Sequence, residues 1–112
     1  MGKYDKPVIV YNKLVRDNIP GIIEENNSEY DIHIASDKEY VEKLFDKALE
    51  EIEEFKEEPI TKEMADIMEV LIALCNFYGL SLEEVESVRK ERAKKRGAFE
   101  QRIILEEVRK KN

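Results

Sequence analysis

The sequence has 112 residues, which is enough for one domain with a single small core. Charged residues make up 40% and hydrophobic residues 42%, with four Gly and three Pro, a composition typical of a mostly helical protein. The formal net charge of −7 argues against a nucleic-acid polymer as partner, because that needs a basic surface. The absence of a signal peptide and of an apolar stretch near ~20 residues predicts a cytoplasmic protein with no membrane partner.

The first third of the chain mixes helical and extended patterns. Asn12 can cap a helical segment over 13–17, which would be interrupted near Pro20 and could resume over 22–25. Residues 30–35 alternate apolar and polar side chains, as a half-exposed strand does. The tail near 102–107 could be a second short strand that pairs with 30–35, or a closing helical turn.

Three longer helices are predicted after residue 36. Ser36 begins a capping box that opens the first of them, which should end near residue 57. Thr61 is the expected N-cap of the second, and the third should run from about Leu82 to Arg96 and stop at Gly97. The expected fold is therefore mainly α, a bundle of about four helices in a single domain over 1–112.

The second of these helices is apolar on almost every side over residues 64–78. Such a helix is either central in its domain or covered by a partner chain. A domain of this size has too little other structure to cover every face, so we expect a homo-oligomer, a dimer by default with a tetramer left open.

Two acidic pairs at three-residue spacing, Glu51/Glu54 and Glu63/Asp66, lie on the first two long helices. Both members of a pair project from one side of the helix. At about 100° per residue, Glu51 falls about 20° outside the apolar stripe of its helix, whereas Glu63 and Asp66 lie on the apolar face of theirs. An acid that faces a core without a partner costs several kcal/mol, so it normally holds a cation or a proton.

Packed antiparallel, the two helices would bring these four carboxylates together as a metal site. The alternative is chance, because 26 of the 112 residues are acidic and such pairs also arise on solvated helix faces. A basic cluster ends the third long helix and also has two interpretations, pairing with the helix dipole or binding phosphate. Its members are Arg89, Lys90, Arg92, Lys94, Lys95 and Arg96.

Three motifs together resemble a known family. They are Glu50-Glu51-x-x-Glu54 followed by Glu63-x-x-Asp66, then Asn12-Lys13-Leu14-Val15-Arg16-Asp17-Asn18-Ile19-Pro20, and Arg96-Gly97-Ala98-Phe99-Glu100. The chain resembles the MazG-like nucleotide pyrophosphohydrolases, an all-α superfamily that also holds phosphoribosyl-ATP pyrophosphatase and dimeric dUTPases. The resemblance covers roughly residues 11–108, and it is closest to a small stand-alone branch related to phosphoribosyl-ATP pyrophosphohydrolase.

The resemblance implies an all-α bundle that binds Mg²⁺, with more than one ion expected and Mn²⁺ able to substitute. Its metal ligands would be Glu51, Glu54, Glu63 and Asp66. The implied reaction splits a nucleoside triphosphate between its α and β phosphates. Glu50, Glu51 and Glu54 would be the catalytic acids, with Glu50 assigned either to water activation or to an ordinary solvated position.

The substrate side would be lined by basic groups outside the carboxylate cluster, together with one acid. The implied residues are Lys13, Arg16, Asp17, Arg92 and Arg96. Arg92 stands where the family pattern has Lys, which keeps a cation for phosphate but puts the base and sugar preference in doubt.

The function that we prefer from the sequence is a metal-dependent nucleoside triphosphate pyrophosphohydrolase, for which the removal of non-canonical nucleotides is one candidate role. Two alternatives remain open. The first is a phosphoribosyl-ATP pyrophosphohydrolase of histidine biosynthesis. The second is a non-catalytic dimerisation or regulatory module, in which Glu63 and Asp66 would form salt bridges inside a bundle.

Overall fold

The computed structural model describes residues 7–112 and contains four helices in that range. They are α1 (Ile19–Glu25), α2 (Asp37–Glu57), α3 (Thr61–Phe77) and α4 (Leu82–Arg96). Residues 7–112 contain no strand. The prediction of a mainly α fold with about four helices is confirmed.

Neither segment that could have been a strand forms one. Over residues 30–35 no backbone hydrogen bond to another segment is formed in the described chain, and a strand needs a neighbour for its backbone groups. In the tail, a turn precedes Arg102, whose φ of 56° is left-handed rather than extended. Both segments are irregular.

The first helix begins later than the sequence pattern suggested. Residues 13–16 are irregular, a turn follows at 17–18, and α1 starts at Ile19. Pro20 lies in the first turn of α1, where its missing N–H breaks no helical hydrogen bond. The proline therefore starts a helix, and the prediction that it interrupts one is wrong.

Local capping explains where α2 and α4 begin. The Ser36 Oγ accepts a hydrogen bond from the Glu39 backbone N–H at 3.3 Å, and the Ser81 Oγ accepts one from Glu84 at 3.1 Å. Thr61 was expected to cap α3, but it is the first helical residue and forms no side-chain cap. The helices α2 and α4 begin and end close to the predicted residues.

The chain divides into two compact units, one up to Tyr78 and one from Gly79 onward. The first contains α1, α2 and α3. The second contains α4, whose end is set by Gly97 at a φ of 87°, a left-handed conformation that glycine adopts without strain. The single domain over 1–112 stays a prediction.

The core of the first unit lies between α2 and α3. Residues 58–60 join these helices, and so short a connection makes them antiparallel neighbours. Leu44 and Ala48 of α2 are buried against Val70 of α3. Half-buried side chains surround this cluster: Leu14, Tyr40, Ala73, Leu74 and Phe77.

A second apolar surface of the same helices is exposed. We call it the apolar face, and it comprises Phe45, Leu49, Ile52, Met64, Met68 and Leu71. Leu49 of α2 is 65% exposed and Met68 of α3 is 56% exposed, so part of the apolar surface of each helix lies outside the core. The expected homo-oligomer would cover this face and stays a prediction.

Among residues 7–112, no single helix is long and apolar enough to cross a membrane. Helices α3 and α4 reach that length and composition only when they are counted together as a broken pair.

Candidate metal centre

Three of the predicted metal ligands come together between α2 and α3. Glu51 lies on α2, and Glu63 and Asp66 lie one turn apart at the start of α3. One carboxylate oxygen from each residue lies within 4.8 Å of the other two. We call these three residues the acidic triad. The short connection between the helices and the three-residue spacing on α3 produce this convergence.

Two oxygens of the triad are enclosed without a donor. Glu51 is only 7% exposed, and its Oε2 has no hydrogen-bond partner among the described residues. The Oε2 of half-buried Glu63 is likewise enclosed and unpaired. Buried polar atoms almost always have a hydrogen-bond partner, and acids on a solvated face would be hydrogen-bonded to water. A group of carboxylate oxygens that lacks such partners is a set of ligands that fits a hard cation.

Burial is the main influence on the Glu51 carboxyl. Desolvation raises the pKa of Glu51 above its ordinary 4.5, and the neighbouring charge of Glu54, a hydrogen bond with Glu54 and the charge of Asp66 raise it further. The ammonium of Lys47 opposes the shift. Burial and the neighbouring acids therefore favour the protonated form of Glu51 more than they would for an exposed glutamate.

Glu54, the fourth predicted ligand, lies beside the triad rather than in it. Its side chain is exposed and interacts with the carboxyl of Glu51. Three of the four predicted carboxylates thus converge, and the role of Glu54 as a ligand stays a prediction.

Lys47 is the site residue that the sequence analysis did not identify. Its Nζ lies 3.6 Å from Glu51 Oε1 and 4.0 Å from Glu50 Oε1. The signal was available, because Lys47 precedes Glu51 by four residues on one helix. The site therefore has a basic neighbour inside its border, whereas the sequence analysis placed basic groups only outside the cluster.

Residues 12–17, which we call the basic segment, pack along α2 and α3. Leu14 contacts the core, and Lys43 donates from Nζ to the Asn12 carbonyl at 3.1 Å. Asn12 has a φ of 49°, in the left-handed region that Asn tolerates better than most residues. These contacts fix the backbone of the basic segment beside the acidic triad.

Both predicted substrate cations of this segment contact site carboxylates. The Lys13 Nζ lies 3.1 Å from Glu50 Oε1, and an Arg16 guanidinium nitrogen lies 2.8 Å from Asp66 Oδ1. Glu50 is therefore a half-buried acid held by lysines and is not simply solvated. Arg16 thus contacts the triad directly, and Lys13 contacts the acid next to Glu51 in the chain.

The remaining predicted substrate residues are exposed. Asp17 lies in the turn before α1. Arg92 and Arg96 lie one helical turn apart on α4, in the second unit, so they share one side of that helix. Their predicted place beside the carboxylates stays a prediction.

Comparisons of the chain with protein-family models, with curated proteins and with solved structures gave no match. The likeness to MazG-like enzymes therefore rests on the three motifs quoted above.

Proposed function

We propose that this protein is a Mg²⁺-dependent nucleotide pyrophosphohydrolase that releases a nucleoside monophosphate and pyrophosphate from a nucleoside triphosphate. One observation carries the proposal. Glu51 is buried with an unpaired carboxylate oxygen, and it faces Glu63 and Asp66 across the α2–α3 contact. An enclosed acid that faces two others is stabilised by a bound cation or by a proton, and carboxylate oxygens are the ligands that Mg²⁺ prefers.

The residues that would hold the metal are the acidic triad, with Glu54 beside Glu51. Bound there, Mg²⁺ would supply charge neutralisation at the polyphosphate and a lowered pKa for an attacking water. Mn²⁺ has similar ligand preferences and is expected to substitute.

The chain's own cations are arranged for a polyanionic substrate. Arg16 presents a planar guanidinium that can bind a phosphate through two hydrogen bonds, and Lys13 adds a point charge. Both lie at the border of the triad, where the phosphates of a metal–nucleotide complex would be. Glu50 holds Lys13 in place through a 3.1 Å contact and is the proposed acceptor for the proton of the attacking water.

Phosphoribosyl-ATP is the second candidate substrate, because it presents a similar polyphosphate to the same residues. A homo-oligomer that covers the apolar face and a cytoplasmic location complete the proposal.

The apolar face also favours the non-catalytic dimerisation module. That alternative requires both Glu63 and Asp66 to be ion-paired. Asp66 pairs with Arg16, but in the described chain Glu63 has no ion pair.

The proposal is tested by measuring pyrophosphate release from a panel of nucleoside triphosphates and phosphoribosyl-ATP with Mg²⁺. Wild type is compared with Glu63→Gln, and Glu69→Gln, an exposed acid of the same helix, is the matched control. We expect metal-dependent release that Glu63→Gln abolishes and Glu69→Gln preserves. If no substrate is cleaved and Mg²⁺ does not raise the melting temperature, the site binds no metal and the dimerisation module is favoured.

A further inference from the structure

Arg16 is already ion-paired with one carboxylate of the proposed metal site. Its guanidinium is 2.8 Å from Asp66 Oδ1, and Asp66 is a member of the acidic triad. A cation approaching the triad therefore meets a positive charge already bound to one of its three carboxylates.

We propose that Arg16 alternates between two partners, Asp66 in the metal-free protein and a phosphate of the substrate once metal is bound. This inference rests on the proposed function and adds a switch to the same site. In the metal-free protein Arg16 partly neutralises the acidic triad. A divalent ion takes over that task, and the guanidinium is then released beside the site.

The surroundings of Arg16 allow its side chain to move while its backbone stays in place. The side chain is 58% exposed and its residue belongs to no helix, so few contacts hold the guanidinium. The backbone on its N-terminal side is fixed by Leu14 in the core and by the Lys43 contact to the Asn12 carbonyl. Released from Asp66, the guanidinium thus remains within a side chain's length of the site.

Lys47 differs from Arg16 in these respects. It lies on α2 itself, its side chain is only 25% exposed, and its nearest site oxygen is 3.6 Å away. It therefore stays beside Glu51 as a fixed positive charge. Among the cations of residues 7–112, Arg16 alone combines a direct contact to the triad with the freedom to leave it.

The test uses the full chain and two ligands, Mn²⁺ alone and inorganic tripolyphosphate in the presence of Mn²⁺. Arg16→Gln removes the competing charge, so we expect it to bind Mn²⁺ about fivefold more tightly, which equals about 1 kcal/mol, the upper range for an exposed ion pair. The same substitution should weaken tripolyphosphate binding about tenfold, because a charge-assisted contact is lost. A higher affinity for Mn²⁺ together with a lower affinity for tripolyphosphate would identify the alternation.

Arg89→Gln is the matched control. It removes an identical charge from a guanidinium that pairs with Glu86 rather than with a site carboxylate, so both affinities should stay near wild type. Arg16→Lys keeps a charge and should leave Mn²⁺ binding near the wild-type value. If Arg16→Gln leaves Mn²⁺ affinity unchanged or weakens it, or if tripolyphosphate binding does not fall, the alternation is overturned.

Failure of this inference can be told apart from failure of the proposed function. A wild type that binds Mn²⁺ and cleaves nucleotides, with Mn²⁺ affinity unaffected by Arg16→Gln, overturns only the alternation. If Arg16→Gln has the two opposite effects but the wild type cleaves no substrate, the alternation is supported and the proposed reaction is overturned. A wild type that binds no Mn²⁺ overturns both.

Discussion

Replacing Glu51 with Gln should make the metal-free protein more stable. The substitution keeps the shape of the side chain, removes a buried negative charge that lies beside Glu54 and Asp66, and supplies an N–H donor to a site full of acceptors. An unsatisfied buried polar group costs about 1–3 kcal/mol. Loss of the Lys47 contact offsets roughly 0.5 kcal/mol of this gain, the value of an ion pair one helical turn apart.

The net expectation is a free energy of unfolding that rises by about 1–2 kcal/mol in a chelating buffer, with a rise in Tm of roughly 4–8 °C per kcal/mol. Bound metal should reverse the order of stability of wild type and Glu51→Gln. At about 100 times Kd, a ligand stabilises the native state by about 2.7 kcal/mol, and Glu51→Gln forfeits much of this because it has lost a charged ligand. Wild type should therefore be the less stable protein in EDTA and the more stable one in saturating Mg²⁺.

The assay is urea unfolding followed by circular dichroism, in EDTA and in a Mg²⁺ series. Glu53→Gln is the control, because this acid is exposed on the same helix and should change stability by no more than about 0.5 kcal/mol. If Glu51→Gln destabilises the metal-free protein by 1 kcal/mol or more, the carboxylate makes a favourable structural interaction and the argument from its unpaired oxygen is refuted.

The pH dependence of stability and the core provide two more predictions. Because the pKa of Glu51 is raised above 4.5, the folded state binds the extra proton, so stability contributed by this group is lost as pH rises from 4.5 through the raised pKa. Urea unfolding across this range in EDTA should show that fall in wild type and not in Glu51→Gln, and equal slopes would contradict the assignment. Leu44→Ala should lower the free energy of unfolding by about 3 kcal/mol because Leu44 is 2% exposed, whereas exposed Leu49→Ala should lose under about 1 kcal/mol in the monomer. Comparable losses at both positions would show that Leu49 is buried in solution.

Helix ends were predictable where one residue supplies the whole signal. Ser36 and Ser81 cap the backbone three residues ahead, and Gly97 takes a left-handed conformation, so each boundary depends on local chemistry. Pro20 was misjudged because the same ring can end a helix or occupy its first turn, and position alone decides between the two.

The triad was predictable for a different reason. The three-residue spacing of Glu63 and Asp66 on an apolar face is a helical property that survives in any packing. Contacts of the basic segment were not predictable from pattern, since Arg16 and Asp66 are 50 residues apart and meet only through tertiary packing. Only the resemblance placed Lys13 and Arg16 near the substrate, and it gave no reason for them to touch the carboxylates.

The charges around Glu51 explain how a small protein can keep a buried carboxyl that lowers its stability. Lys47 lowers the pKa of Glu51 from one side, while Arg16 neutralises Asp66 and so limits the repulsion between the two acids. Neither cation reaches the enclosed Oε2 atoms of Glu51 and Glu63. A purely structural acid would have been paired at those atoms, because an unpaired buried oxygen lowers stability without any gain in packing. The border of the triad is thus neutralised and the Oε2 atoms of Glu51 and Glu63 are left unpaired, which is the arrangement that the proposed metal site requires.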